Sequence, residues 1–218
     1  MRMAELSERS GVPTATIKYY LREGLLRPGR RINATQAAYD EEHLRRLRLV
    51  RALIQVGRMP VATAREVLVA VEDESLDHHS RIGAAVWLLP EGTAGAMETV
   101  PDAAAEAAER QAVELLERLG WNFGYAARDD SPAYRMLVGA LAALERSGYP
   151  CTMEDLLVYG HSAGELGAVD LDMIERYEPG TLQVEAAVAG TVLYEPVLLS
   201  LRRLAQAEES NRRFGEGG

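Results

Sequence analysis

The sequence predicts a mainly α-helical chain with one small β-hairpin near its start. Three observations carry that expectation. Apolar residues of the first seventy positions recur at helical spacing but are broken at Gly11-Val12-Pro13 and again across Leu25–Asn33. The charge changes sign along the chain: residues 1–71 hold 13 Lys and Arg against 7 Asp and Glu, whereas residues 72–218 hold 11 against 26, for a net charge of -9. Downstream, candidate helices are bracketed by recognisable ends, such as Asp102 before and Gly120 after an Ala-rich run.

Leu6, Val12, Ile17 and Leu21 fit two short amphipathic helices around a turn, with Gly11 closing the first and Pro13 opening the second. That is a helix-turn-helix pattern. At 100° per residue Ile17, Tyr20 and Leu21 share the inward side of the second helix, which leaves Ala15, Lys18, Tyr19 and Arg22 outward. Small Ala15 permits close approach to a DNA groove, the Tyr19 hydroxyl can donate to a phosphate, and Lys18 and Arg22 can reach phosphates or guanine edges.

The segment Leu25–Asn33 is too short and too rich in Gly and Pro for a helix, and Gln36–Tyr39 follows it, so a hairpin wing is expected there. Arg27, Arg30 and Arg31 would lie along the phosphate backbone beside the groove. Asp40 caps a third helix carrying Leu44, Leu47, Val50 and Ile54 on one side, Gly57 ends it, and Pro60–Val71 supplies a fourth.

Taken in order, Ile17-Lys18-Tyr19-Tyr20, Glu23-Gly24-Leu25-Leu26, Pro28, Tyr39, the Arg/Leu helix and Gly57 resemble the DNA-binding domain of MerR-type transcription regulators. The resemblance implies a winged helix-turn-helix fold of four helices and a β-hairpin wing over residues 1–71. It also implies a homodimer on two half-sites of double-stranded promoter DNA, with RNA polymerase as a neighbour at the promoter. The implied DNA-facing set is Thr14, Ala15, Thr16, Lys18, Tyr19, Tyr20, Arg22, Arg27, Arg30, Arg31 and Tyr39. Lys18 stands where the family more often has Arg, and lacks Arg's planar fork for guanine. Arg58-Met59-Pro60 replaces the family's usual aromatic-hydroxyl pair.

Residues 72–100 are expected to form a helix over 76–89 and a linker at Pro90–Gly95. Residues 101–218 are expected to be an all-helical dimerisation and effector domain, with helices over 102–119, from Pro132, from Thr152 and over 183–210. The helix over 76–89 is too short for the long antiparallel dimer helix of the resembled family, which leaves the last helix, apolar almost all round, as the dimer face or an effector-domain core. Trp87, Trp121 and Tyr125 are candidate walls, with Phe123, for a small organic effector, plain core packing being the alternative. Glu195, set among apolar Val192–Leu199, is a further candidate ligand-binding residue: its carboxylate needs a partner there, which Arg202 or Arg203, a carbonyl freed by Pro196 or a cationic ligand could supply, and Pro196 is expected to kink the helix.

The single cysteine, Cys151, cannot form an internal disulfide or a thiolate metal site. His78-His79 point apart on a helix, so no metal or other cofactor is expected. His161, Ser162, Glu165 and Asp170 are the nearest approach to a nucleophile and base, and they lack catalytic spacing, so no enzyme is expected. An architectural DNA-bending protein without effector is the alternative function, with a small-molecule-binding or enzymatic helical domain behind it. The start Met1–Glu5 has no apolar run after it, and no stretch approaches 18 uninterrupted apolar residues, so a cytoplasmic, nucleoid-associated protein without a membrane partner is expected.

Overall fold

The computed structural model describes residues 1–33, 36–89 and 102–215, so the linker expected at Pro90–Gly95 lies outside the described residues. The chain forms two compact units, one of Met1–Leu88 with Pro179–Gly218 and one of Leu89–Glu178.

The first unit opens with α1 (Met3–Ser10), which Gly11 closes in the left-handed conformation at φ 65°, donating its N–H to Glu8 O. A side chain is strained in that conformation, which explains glycine at this turn. Helix α2 (Thr14–Arg22) follows with Ile17 and Tyr20 buried. Strands β1 (Arg30–Arg31) and β2 (Ala37–Ala38) pair antiparallel, Arg30 opposite Ala38 and Arg31 opposite Ala37. Gly29 allows this hairpin to close: a Cβ there would sit 2.6 Å from Ala38 O and 2.8 Å from the Tyr39 ring.

Asp40 caps α3 (Glu41–Arg51) by accepting the His43 N–H at 3.1 Å, and α3 runs into a π-helical turn over Ala52–Val56. Helices α4 (Val61–Glu72) and α5 (His78–Trp87) complete this part of the unit. Leu6, Ile17, Leu25, Leu44, Leu47, Leu53 and Val67 are fully buried in its core.

The second unit holds α6 (Ala103–Leu119), α7 (Asn122–Ala126), α8 (Pro132–Arg146) and α9 (Met153–Ile174). Asp102 and Gly120 cap α6, Ser131 caps α8, and Thr152 with Asp155 forms a capping box on α9. Helices α8 and α9 both pack on α6, burying Ala112, Leu115, Leu116, Val138, Leu141 and Leu156. Gly160 lets α9 approach α6, since a Cβ there would meet Leu119 Cδ1 at 2.5 Å. Leu144 is 39% exposed, off the α8 stripe of Tyr134, Val138, Leu141 and Ala142 that is buried.

The last helix, α10 (Thr181–Phe214), belongs to the first unit, whereas the sequence reading groups it with residues 101–218. Its first half buries Val184, Ala187, Val188 and Val192 against α4, α5 and the π-helical turn. Gly57 makes room for it: a Cβ there would lie 3.0 Å from Val192 Cγ1. Buried Arg81 of α5 donates to Thr181 Oγ1 at 2.9 Å. The helix is unbroken at Pro196, and Glu195 is exposed, like every residue of α10 from Leu193 to Glu208. Its carboxylate therefore does not need the compensation that a buried site would demand. By length and composition alone α10 could cross a membrane, yet its first half is occupied as core.

Candidate nucleic-acid interface

Helix α2 presents Thr14, Ala15, Lys18 and Arg22 to solvent, as the 100° periodicity requires once Ile17 and Tyr20 are turned inward. Thr16 and Tyr19 are half-buried. The Arg22 guanidinium lies over the Tyr19 ring at 5.2 Å, and Arg22 Nε is 3.4 Å from Glu23 Oε1. These contacts hold a cation and an aromatic ring together on the exposed side of the helix.

The wing stands beside that surface. Lys18 of α2 and Gln36, Ala37 and Tyr39 of the wing line one concavity of about 490 Å³, together with Arg2, Met3 and Ala4. The base of the wing is pinned there: the Met1 ammonium donates to Tyr39 O at 2.7 Å, and the Tyr39 N–H donates to Met1 O at 2.9 Å. Arg30 and Arg31 on β1 are both exposed, and Arg31 donates to Asn33 O at 3.3 Å. Lys18 and Arg2 bring positive charge to this concavity, and Arg30 and Arg31 stand exposed on the strand paired with Ala37–Ala38, an arrangement suited to a polyanion.

Three of the expected DNA-facing residues are placed otherwise. Tyr20 is 4% and Tyr39 7% exposed, so both rings are core. Tyr20 lies with Ile17 on the inward face of α2, and Tyr39 packs edge-on to His43 at 5.2 Å between ring centroids. Burial pushes both phenols above their ordinary pKa. Arg27 is exposed but engaged away from the wing strands, 2.9 Å from Glu72 Oε2 and 3.7 Å from Glu42 Oε1. Arg51 is used internally too, donating to Gln55 Oε1 at 2.8 Å and to Ser10 O at 3.3 Å.

Residues 1–70 match the family described as MerR HTH family regulatory protein. A crystal structure of SCO5550 from Streptomyces coelicolor A3(2), assigned as a transcriptional regulator, is 51% identical and superposes with a TM-score of 0.81, covering the whole of both chains. The chain belongs to the MerR family. A further MerR-side relative is the HTH-type transcriptional regulator HmrR of Rhizobium leguminosarum bv. viciae, 41% identical over 76 residues. That match takes in 34% of this chain and spans 56% of the length of HmrR. As a MerR-family helix-turn-helix protein, the chain is a DNA-binding transcription regulator.

The remaining candidate residues of this MerR-family chain are dispersed. Trp87 ends α5 in the first unit, while Trp121 and Tyr125 flank and form α7 in the second, all of them 36–39% exposed. The Tyr125 ring carries the Arg128 guanidinium at 4.4 Å. His161, Ser162, Glu165 and Asp170 are exposed along α9, and the Ser162 hydroxyl donates to Val158 O at 2.9 Å. Sequence reasoning missed two buried charges, Arg46 and Arg81, which are 8% and 7% exposed. A signal was available: Arg46 stands three, four and seven residues before buried Leu49, Val50 and Leu53, on one side of its helix.

Proposed function

We propose that the protein is a homodimeric regulator that docks α2 into the major groove of each half-site of a two-fold symmetric promoter element, beside RNA polymerase. Thr14, Ala15, Lys18, Tyr19 and Arg22 face the bases and adjoining phosphates, and Arg30 and Arg31 hold the flanking backbone. The observation that supports this reading is the concavity lined by Lys18 of α2 and by Gln36 and Ala37 of the wing, with exposed Arg31 paired opposite Ala37. Residues 1–71 act as the DNA-binding part, and control comes from a small organic ligand.

The dimer contact is assigned to the second half of α10. Tyr194, Val197, Leu201 and Leu204 follow one another at spacings of three, four and three residues and are 46–66% exposed. That is the repeat of a two-helix seam. Footprinting on the DNA upstream of its own coding sequence tests the reading. A protected, two-fold symmetric site that is lost in Lys18→Ala supports it, and protection without symmetry, or protection unchanged in Lys18→Ala, overturns it.

A further inference from the structure

Behind the wing, within the first unit, lies a cavity of about 390 Å³ that the DNA-binding reading does not use. Its walls come from four places in the sequence: the segment Leu26–Pro28, α3, the end of α4 with Glu74 beyond it, and the first turns of α10. Its size falls in the range of small-molecule sites. Its lining is densely charged, with Arg27, Arg45 and Arg46 beside Glu42, Glu72, Glu74 and Glu185, from exposed groups at its mouth to buried Arg46.

Part of this charge is paired internally. Glu72 takes Arg27 at 2.9 Å and Arg46 at 3.0 Å, and Arg46 Nε donates to Leu25 O at 3.2 Å. The pairing is incomplete. Arg46 Nη1 is buried and, for all its nearness to Glu72, is not aligned for a hydrogen bond. The His43 ring keeps Nδ1 2.7 Å from Asp40 Oδ1 and leaves Nε2 buried without a partner. Among the described residues Arg45 and Glu185 make no hydrogen bond or ion pair within 4.0 Å, although Arg45 on α3 acts electrostatically on Glu185 on α10. Burial pushes the Glu185 carboxyl above its ordinary pKa, and Arg45 and Arg46 work against that rise.

Unmatched polar groups in such a place are costly unless something completes them. A simple anion would satisfy the arginines but face four glutamates, and a simple cation would meet Glu185 but leave Arg45 without an ion-pair partner and Arg46 Nη1 without a hydrogen bond. A molecule bearing both charges completes both walls. We propose that this cavity binds a small zwitterion of the amino-acid class, its carboxylate against Arg45 and Arg46 and its ammonium against Glu185. This deepens the reading of the protein as a ligand-controlled regulator and names the chemistry of the effector. Because Arg27 leads into the wing and shares Glu72 with Arg46, occupancy bears on the same ion-pair network that anchors the wing's first residues.

The test is a thermal-shift and calorimetric titration of the full-length protein, without DNA, against the common amino acids and, for each, its decarboxylated amine and its deaminated acid. The expected result is saturable stabilisation by at least one amino acid, because a ligand selective for the folded state raises its stability by mass action. The matching amine and acid each bind at least about tenfold more weakly, and Glu185→Gln and Arg45→Gln each weaken binding at least about tenfold. Arg45 is exposed, so its variant remains informative if Glu185→Gln fails to fold. Absence of binding by every amino acid at millimolar concentration overturns the proposal, as does binding that survives Arg45→Gln, or equal binding of the bare amine. Since no DNA is present, failure here is distinct from failure of the promoter reading, which footprinting decides alone.

Discussion

Removing the wing arginines gives a salt-dependence that follows from the arrangement of charges. Lys18, Arg22, Arg30 and Arg31 are exposed cations on the proposed DNA side, while Arg27 is held by Glu72 and Glu42. A dimer then carries eight such cations, and counterion release at ~0.9 per neutralised phosphate predicts a slope of log K against log salt of about -7. Raising salt from about 50 to about 200 mM should lower affinity about 10⁴-fold. Arg30→Ala with Arg31→Ala removes four cations per dimer and should bring the slope to about -3.5, with a loss of about 10² over the same range. Fluorescence anisotropy with a labelled duplex measures both. Because these residues lie on the wing and hold backbone, affinity for the specific site and for unrelated duplex should fall together. An unchanged slope in the double variant, or a loss confined to the specific site, would refute the assignment.

Two further outcomes follow from packing. Gly160→Ala should change sign with its neighbour: the added Cβ meets Leu119 Cδ1 at 2.5 Å, so overpacking of about 1–3 kcal/mol outweighs or cancels the ~1 kcal/mol gained in helix propensity. In a Leu119→Ala background the same change should stabilise by about 1 kcal/mol, read from denaturant midpoints, and stabilisation in both backgrounds would contradict the close approach of α9 to α6. Leu201→Glu, on the exposed half of α10, should convert a dimer to monomers in sedimentation while leaving helix content intact, and an unaltered dimer would remove α10 from the interface.

Much of the head was legible because its local signals agree with one another. Gly11 and Pro13 mark the turn, Asp40 caps α3, and the spacing of Ile17, Tyr20 and Leu21 orients α2. The caps of α6, α8 and α9 were equally plain, since Asp102, Ser131 and Thr152 each satisfy a helix N–H. Tyr39 misled as a DNA contact because a hydroxylated aromatic next to a basic hairpin reads the same whether its ring packs inward or outward. The placement of α10 was not legible for a different reason. Val184, Val188 and Val192 form a seam into the core, and Tyr194, Val197, Leu201 and Leu204 form a second one facing out, so the helix is apolar on all sides and periodicity names no partner. The cavity behind the wing joins Arg27, Arg46, Glu72 and Glu185 across more than 150 positions of sequence, and no local pattern announces such a meeting.

The most direct test of the central claim, that α2 and the wing together form the DNA-binding face, uses the single native cysteine. With Cys151→Ser as background, Ala15→Cys, Arg31→Cys and Val169→Cys each offer one thiol for a photo-crosslinking probe. Crosslinks are expected from position 15 to bases within each half-site and from position 31 to the flanking backbone, and none from position 169 on α9. Crosslinks from position 169 with silence at positions 15 and 31 would contradict that claim.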